Sequence, residues 1–385
     1  MSCKFKLKKV ISWNFEEIRY SYSMKVWIDI LTPKQTLFFE PLIEALQERG
    51  DEVVITSRRY REAELMLRKR QINAVFIGSH GGKRLDAKLT ASLERSNELT
   101  EYFKQDTPDV LVSFSSPEAC RVAFGLGIIN LCVSDSPHAE AVSRLTVPLA
   151  DCLLTPWIIP DKSWTGFGIE RNKIEQYKAL DPFVWLSRRD LSDKKDVALN
   201  IDKSKSTITL RLEESFASYV SNNKNTHEFV LIKRLIEEFR DQNIVILCRY
   251  SEQVDEVYKK FKGRVIVPTD VVDGVALLQS SDLFIGLGGT MTAEASLLGT
   301  PTISFFSGSY FVERYLISKG LLTKPRDVDG VIRVSKNFLR DIKLRKQMKI
   351  RSNRIRSGME DPIQVIIKKL DILIREKLNE ELARK

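Results

Sequence analysis

The sequence predicts an α/β protein of two domains, each a parallel sheet covered by helices on both faces. Three observations carry this prediction. From residue 24 onward, short apolar strand-length runs alternate with helix-period segments. The alternation fails between residues 155 and 205 and then resumes. The stretch 283–305, LFIGLGGTMTAEASLLGTPTISF, reads as strand, tight glycine turn, short helix and strand.

In the first series, strands are expected at 26–30, 52–56, 74–77, 110–113, 128–133 and 152–154. Helices are expected at 37–49 (stopped by Gly50), from 59, and at 88–104, 117–124 and 139–145. Prolines 156, 160 and 182 and the polar run 187–205 mark the connection. Beyond it come strands 208–210, 244–247 and 265–267, helices 228–240, 254–261 and 274–279, and then the 283–305 stretch. The expected domains are therefore 24–185 and 207–345, joined by a linker at 186–206 and followed by charged C-terminal helices at 346–385. Most of the charge in those helices reads as a solvated face. Residues 1–23 read as a basic leader, appended or mis-started ahead of Met24. The alternative is a membrane-touching arm, with Lys4, Lys6, Lys8 and Lys9 beside Phe5 and Trp13.

The chain has 385 residues, enough for two ordinary α/β domains, and a net charge of +10. That excess suits an anionic ligand or an anionic membrane surface. Zinc-finger spacing, an aromatic RNA-binding pattern and a basic helix with heptads are all missing from the sequence, so nucleic acid is not an expected partner. The five cysteines are odd in number and mostly lie in apolar runs, as reduced buried thiols do. The expected location is the cytoplasm, with peripheral contact at the inner face of the membrane as a further option.

Within 283–305, Gly286, Gly288 and Gly289 let backbone N–H groups approach a ligand. The helix beginning near Met291 points unpaired donors and its positive dipole end at the same place. Glu294 lies one turn inside, in reach of a sugar diol. A diglycine turn, Glu six residues after its first glycine, then Ala and Gly-x-Pro resembles the donor-nucleotide motif of GT-B enzymes. Examples are the lipid-linked N-acetylglucosaminyltransferases of peptidoglycan synthesis and the UDP-N-acetylglucosamine 2-epimerases. The resemblance implies two Rossmann-like domains with parallel sheets facing a cleft, a UDP-sugar donor on the second domain and an acceptor, glycan or polyprenyl-linked, on the first. By the same resemblance Gly288, Gly289, Thr290 and Met291 hold the diphosphate and Glu294 the ribose, with Arg211 on the leaving group. UDP-sugar is then substrate, with no further cofactor. No DxD pair sits beside the motif, so a metal-independent reaction is expected.

A second resemblance, to the uncharacterised archaeal DUF354 proteins, is carried by VWIDI, LFFEPLIEALQERGDEVVITSR, the turn His80-Gly81-Gly82-Lys83, RVAFGLGI and RLTVPLAD. It supports the fold more than a reaction.

His80 and His138 each follow a first-domain strand, on the sheet edge where ligands bind, and either could supply a general base. Asp135 lies within a turn of His138 and could orient it, so His138 ranks first; the alternative is that Asp135 caps a helix and both histidines bond loop carbonyls. His227 lies in a polar loop and carries little weight. Gln35 falls where the peptidoglycan-type transferases have a histidine, and an amide cannot take the proton. At the positions where the epimerases carry His-Arg-Arg-Glu and Asp, this chain has Arg211 without a histidine, and Ser113 to Ser116. The first expectation is thus a GT-B glycosyltransferase moving an N-acetylhexosamine. A 2-epimerase-like enzyme and a non-catalytic nucleotide-sugar binding protein are the alternatives.

Overall fold

The computed structural model describes residues 23–82, 84–191, 197, 199–213, 225–248, 251–268 and 272–383. The basic leader expected at 1–23 (but for residue 23), Lys83 and the side chain of His227 lie outside them. Two compact units form. One holds residues up to 133, 144–153 and 366 onward; the other holds 134–143 and 154–365.

The first sheet has seven strands: β1 (Lys25–Ile30), β2 (Glu52–Arg59), β3 (Val75–Ser79), β4 (Val110–Ser113), β5 (Ile129–Val133), β6 (Cys152–Pro156) and β7 (Ile174–Tyr177). Their order is β3-β2-β1-β4-β5-β6-β7, and the order reverses between β1 and β4. β1, β4, β5 and β6 are apolar runs buried almost throughout, as strands covered on both faces must be. β7 falls within the expected connection. Only Tyr177 of its four residues is buried, so it shows no apolar run to read.

Helix α1 (Pro33–Glu48) begins about a turn earlier than the periodicity predicts. Pro33 sits in its first turn, where a missing N–H costs no intrahelical bond. That places Gln35 at the mouth of the β1/β4 crevice. Gln35 Oε1 accepts from Leu31 N at 2.5 Å, and Gln35 Nε2 donates to Phe114 O at 3.1 Å. The amide therefore ties the two strand ends together. Beneath it lies a buried polar chain in which Trp27 Nε1 donates to Thr56 Oγ1 at 2.7 Å and Thr56 Oγ1 to Asp29 Oδ1 at 2.5 Å.

The second sheet comprises β8 (Thr207–Arg211), β9 (Asn243–Leu247), β10 (Leu283–Gly286) and β11 (Thr302–Ser304), all parallel, in the order β11-β10-β8-β9. Single bridges, Val245 to Ile266 and Ile303 to Thr323, extend it at the two edges. The strand expected at 265–267 is thus one bridged residue in an apolar run closed by Pro268, which has no N–H to donate. Helix α2 (Thr290–Leu298) follows β10 and ends at Gly299, whose φ is +76°. A Cβ on Gly299 would lie 2.7 Å from Lys349 Cα, because the basic helix α3 (Ile342–Arg356) passes directly over this cap. Ser352 Oγ donates to Leu297 O, and Lys349 Nζ to Leu298 O at 2.8 Å, so α3 serves the open carbonyls of α2. Among the described residues no helix is long and apolar enough to cross a membrane.

Candidate functional site

The order of the second sheet reverses between β8 and β10, and the crevice at their carboxyl ends is where open α/β sheets take ligands. Arg211 and Gly286 form the last rung of that pair, and Leu287 N donates to Arg211 O at 3.1 Å. The chain then turns through Gly288 (φ +100°) and Gly289 (φ +85°, ψ 174°) into α2. The Gly289 backbone lies in a region that is essentially glycine-only, and α2 begins directly after it. Gly286 is fixed by packing, since a Cβ there would meet Thr292 Oγ1 at 2.1 Å. Thr292 Oγ1 is itself buried without a hydrogen-bond partner, a polar atom left over beside the turn.

The other predicted residues of this stretch divide between surface and interior. Thr290 and Met291 are half-buried, with Met291 packed on the cluster of Val245, Leu247 and Leu277. Glu294 is buried, at 8% exposure, within the first two turns of α2. Arg211 Nη1 donates to Cys248 O at 3.2 Å. Next to it burial pushes the Cys248 thiol up to about 12 and the Glu228 carboxyl up to about 7. Glu228 Oε1 accepts from Glu213 N at 2.9 Å, and the carboxylates of Glu213 and Glu256 add to its upward shift.

A small cavity of about 60 Å³ opens behind the glycine turn, bounded by Gly288, Gly289, Thr292, Phe306, Tyr310 and Glu313. It is a niche for a few atoms, too small for a nucleotide. Its aromatic wall reaches His138. The His138 ring stacks on Tyr310 with centroids 3.7 Å apart at 23°, Tyr310 meets Phe306 at 5.2 Å, and Phe306 lies where a Gly288 Cβ would come within 3.1 Å. All four residues belong to the second unit, although His138 follows β5 in the sequence. Asp135 Oδ1 accepts from Ser136 Oγ at 2.7 Å. Burial, the Asp181 charge and hydrogen bond, and least the Asp135 charge raise the Tyr177 hydroxyl, which donates to Asp181 Oδ1 at 2.6 Å.

His80 lies in the first unit, directly after β3. Its ring stacks on Tyr60 with centroids 5.0 Å apart, and His80 Nδ1 accepts from Gly82 N at 3.0 Å. Burial, with the Arg58 and Lys88 charges, lowers it to about 4. The neutral ring therefore carries its proton on Nε2 and offers a donor there rather than a base. The structure thus brings His138 into one constellation with the glycine turn and leaves His80 in another. No cluster of three or more His, Cys, Asp or Glu among the described residues is arranged to hold a metal.

The family model described as a protein of unknown function, DUF354, matches residues 24–372. This chain belongs to DUF354. An uncharacterised protein of Methanocaldococcus jannaschii is 30% identical to it over 356 residues, covering 90% of this chain and 98% of the relative. Among solved structures, the UDP-GlcNAc 2-epimerase of Neisseria meningitidis bound to UDP-GlcNAc aligns with a TM-score of 0.69 at 16% identity, covering 90% of this chain and 99% of that one. The glycotransferase of kitacinnamycin aligns with a TM-score of 0.59 at 14% identity, covering 90% and 99%. The fold of this DUF354 protein is GT-B, as its motifs predict.

Several residues of this candidate site carry no sequence signal of their own. Phe306 and Tyr310 follow β11 as ordinary aromatics, and only the fold sets them between His138 and Gly288. Thr292 is one of four threonines in the 283–305 stretch. Glu228 opens a helix, as acidic residues often do, and its burial comes from packing distant in sequence.

Proposed function

We propose that this chain is a UDP-sugar enzyme that transfers a sugar, an N-acetylhexosamine by preference, to a glycan or polyprenyl-linked acceptor. The observation that supports it most is the glycine turn at the β8/β10 crevice, with Arg211 on the neighbouring strand end and His138 stacked through Tyr310 and Phe306 against the same turn. The N-terminal N–H groups of α2 and the Arg211 guanidinium receive the diphosphate, where negative charge grows as the bond breaks. Glu294 takes the ribose hydroxyls. The acceptor oxygen attacks the anomeric carbon, the bond to the diphosphate oxygen breaks, and UDP departs with the electron pair. His138 takes the acceptor proton, its ring held flat by Tyr310.

A 2-epimerase-like reaction is the second reading. The 2-epimerase of Neisseria, crystallised with UDP-GlcNAc, shares the whole fold and is the more similar of the two structures. Incubating the protein with radiolabelled UDP-GlcNAc, with and without glycan and polyprenyl phosphate acceptors, separates the readings. Label in an acceptor, or slow release of UDP, supports transfer. A 2-epimer supports the second reading, and saturable binding without product would leave a nucleotide-sugar binding protein.

A further inference from the structure

In the first unit, β2 and β3 lose register between Ser57 and Arg59: Ser57 pairs with Phe76, and Arg59 with Ser79. The extra residue lies on β3, where Gly78 takes φ +70°, and the Arg95 side chain fills the space a Gly78 Cβ would need, at 2.7 Å. A bulge of this kind re-aims a side chain next to it. Arg58 is the residue opposite.

Its surroundings are charged, yet Arg58 takes no part in the pairing. Arg95 Nη2 and Nη1 bond Asp29 Oδ1 and Oδ2 at 2.6 and 3.2 Å, and Arg95 Nη1 reaches Glu118 Oε2 at 3.4 Å. Asp29 and Glu118 are thus committed to Arg95. Arg58 makes no side-chain hydrogen bond or ion pair among the described residues, and its Nε is buried without a partner. Desolvation lowers its pKa by more than the Glu118 and Asp29 carboxylates raise it, the mark of a cation held out of water and only partly compensated. Beside it, His80 keeps Nδ1 occupied by Gly82 N, which leaves the ring proton on Nε2 as a donor, with the Arg58 and Lys88 charges near enough to be felt. The loop between them is seated on the next helix: a Cβ on Gly81 would lie 2.6 Å from Ala87 O and Lys88 Cα.

We propose that Arg58 and His80 form an oxyanion-binding site at the β2/β3 edge of the first unit, taking a phosphate or carboxylate group of a second substrate. Arg58 supplies a two-pronged donor, His80 Nε2–H a third hydrogen bond, and Lys88 charge at the rim. The chemistry favours an acidic acceptor, such as a phosphorylated lipid carrier or an acidic sugar. That substrate role rests on the UDP-sugar reading; the binding of an oxyanion does not.

The test follows the His80 ring by proton–nitrogen correlation NMR in the full chain while inorganic pyrophosphate or malonate is added. Saturable shifts at His80 and a rise of its pKa from about 4 are expected with at least one of the two, and which one acts tells phosphate from carboxylate. Arg58→Gln should weaken that binding tenfold or more. Arg58→Lys, which keeps the charge but loses the planar fork, should weaken it severalfold and guards against a folding defect in the first variant. A His80 ring that neither anion moves, or an affinity that both Arg58 variants leave unchanged, overturns the site. UDP binding is measured separately by calorimetry; its failure would remove the proposed function and leave the oxyanion site standing.

Discussion

Arg95 Nη2 donates to Asp29 Oδ1 over 2.6 Å, and neither side chain is more than 1% exposed. Arg95 also donates from Nε to Ile77 O at 3.0 Å, so one guanidinium joins β1, β3 and Glu118. Removing one member of a buried pair leaves the other charge uncompensated, which costs about 3–5 kcal/mol. Arg95→Met should therefore lower unfolding free energy by that amount in urea titrations. A change under about 1 kcal/mol would mean that Asp29 finds another partner.

Glu228 makes stability depend on pH in an unusual direction. Its carboxyl stands at about 7 in the folded chain against an ordinary 4.5, so the folded state holds this proton more tightly than the unfolded state. The contribution is fully present below pH 4.5 and is lost as pH rises to 7, a span worth roughly 3 kcal/mol. Glu228→Gln keeps an acceptor for Glu213 N and should flatten the urea midpoint over that range. An equally steep profile in the variant would assign the effect to another group.

Nucleotide affinity should depend on α2 and on the strand end. Glu294→Ala and Arg211→Met each remove a charged hydrogen-bonding group of the class worth about 1.5–3 kcal/mol, so the Kd for UDP should rise about tenfold to a hundredfold. Calorimetry on folded variants reads this directly, and unchanged binding in both would remove the nucleotide from this crevice.

Gly289→Ala should act at the same place by another route. Space for a methyl is open there, but the backbone at φ +85° and ψ 174° is strained for any side chain, at about 1–3 kcal/mol. Weaker UDP binding together with a lower Tm is expected. Full wild-type behaviour would show that the turn adapts.

For turnover, His138→Ala or Asp135→Ala should cost about two to four orders of magnitude with UDP affinity kept. Tyr310→Leu, which removes the ring under His138, should lower kcat more than KM. Full activity in all three would move the proton acceptor elsewhere.

Much of this molecule is legible in the sequence wherever the cause is local. The strands buried on both faces are apolar runs, and the glycines at 286, 288 and 289 announce a turn because their backbone or packing admits nothing larger. Causes that act across the fold leave no such mark. Arg58 reads as one base in an ordinary Ser-Arg-Arg-Tyr strand end, since its isolation comes from the bulge in β3 and from Arg95 having claimed both carboxylates. The pairing of His138 with Tyr310 spans 172 positions, the difference of their numbers, and no periodicity reaches that far.

Gln35 decides which part of the first sheet edge can meet a ligand at all. A reversal of strand order ordinarily leaves a backbone N–H and a carbonyl open to whatever enters, and here one amide side chain has already taken both, from Leu31 and Phe114. Lys34, 4.2 Å above the Phe114 ring, lies over the same opening. The crevice is in effect self-liganded, its own side chain standing in for a guest, whereas one strand over, on β2, the buried Arg58 Nε has no partner.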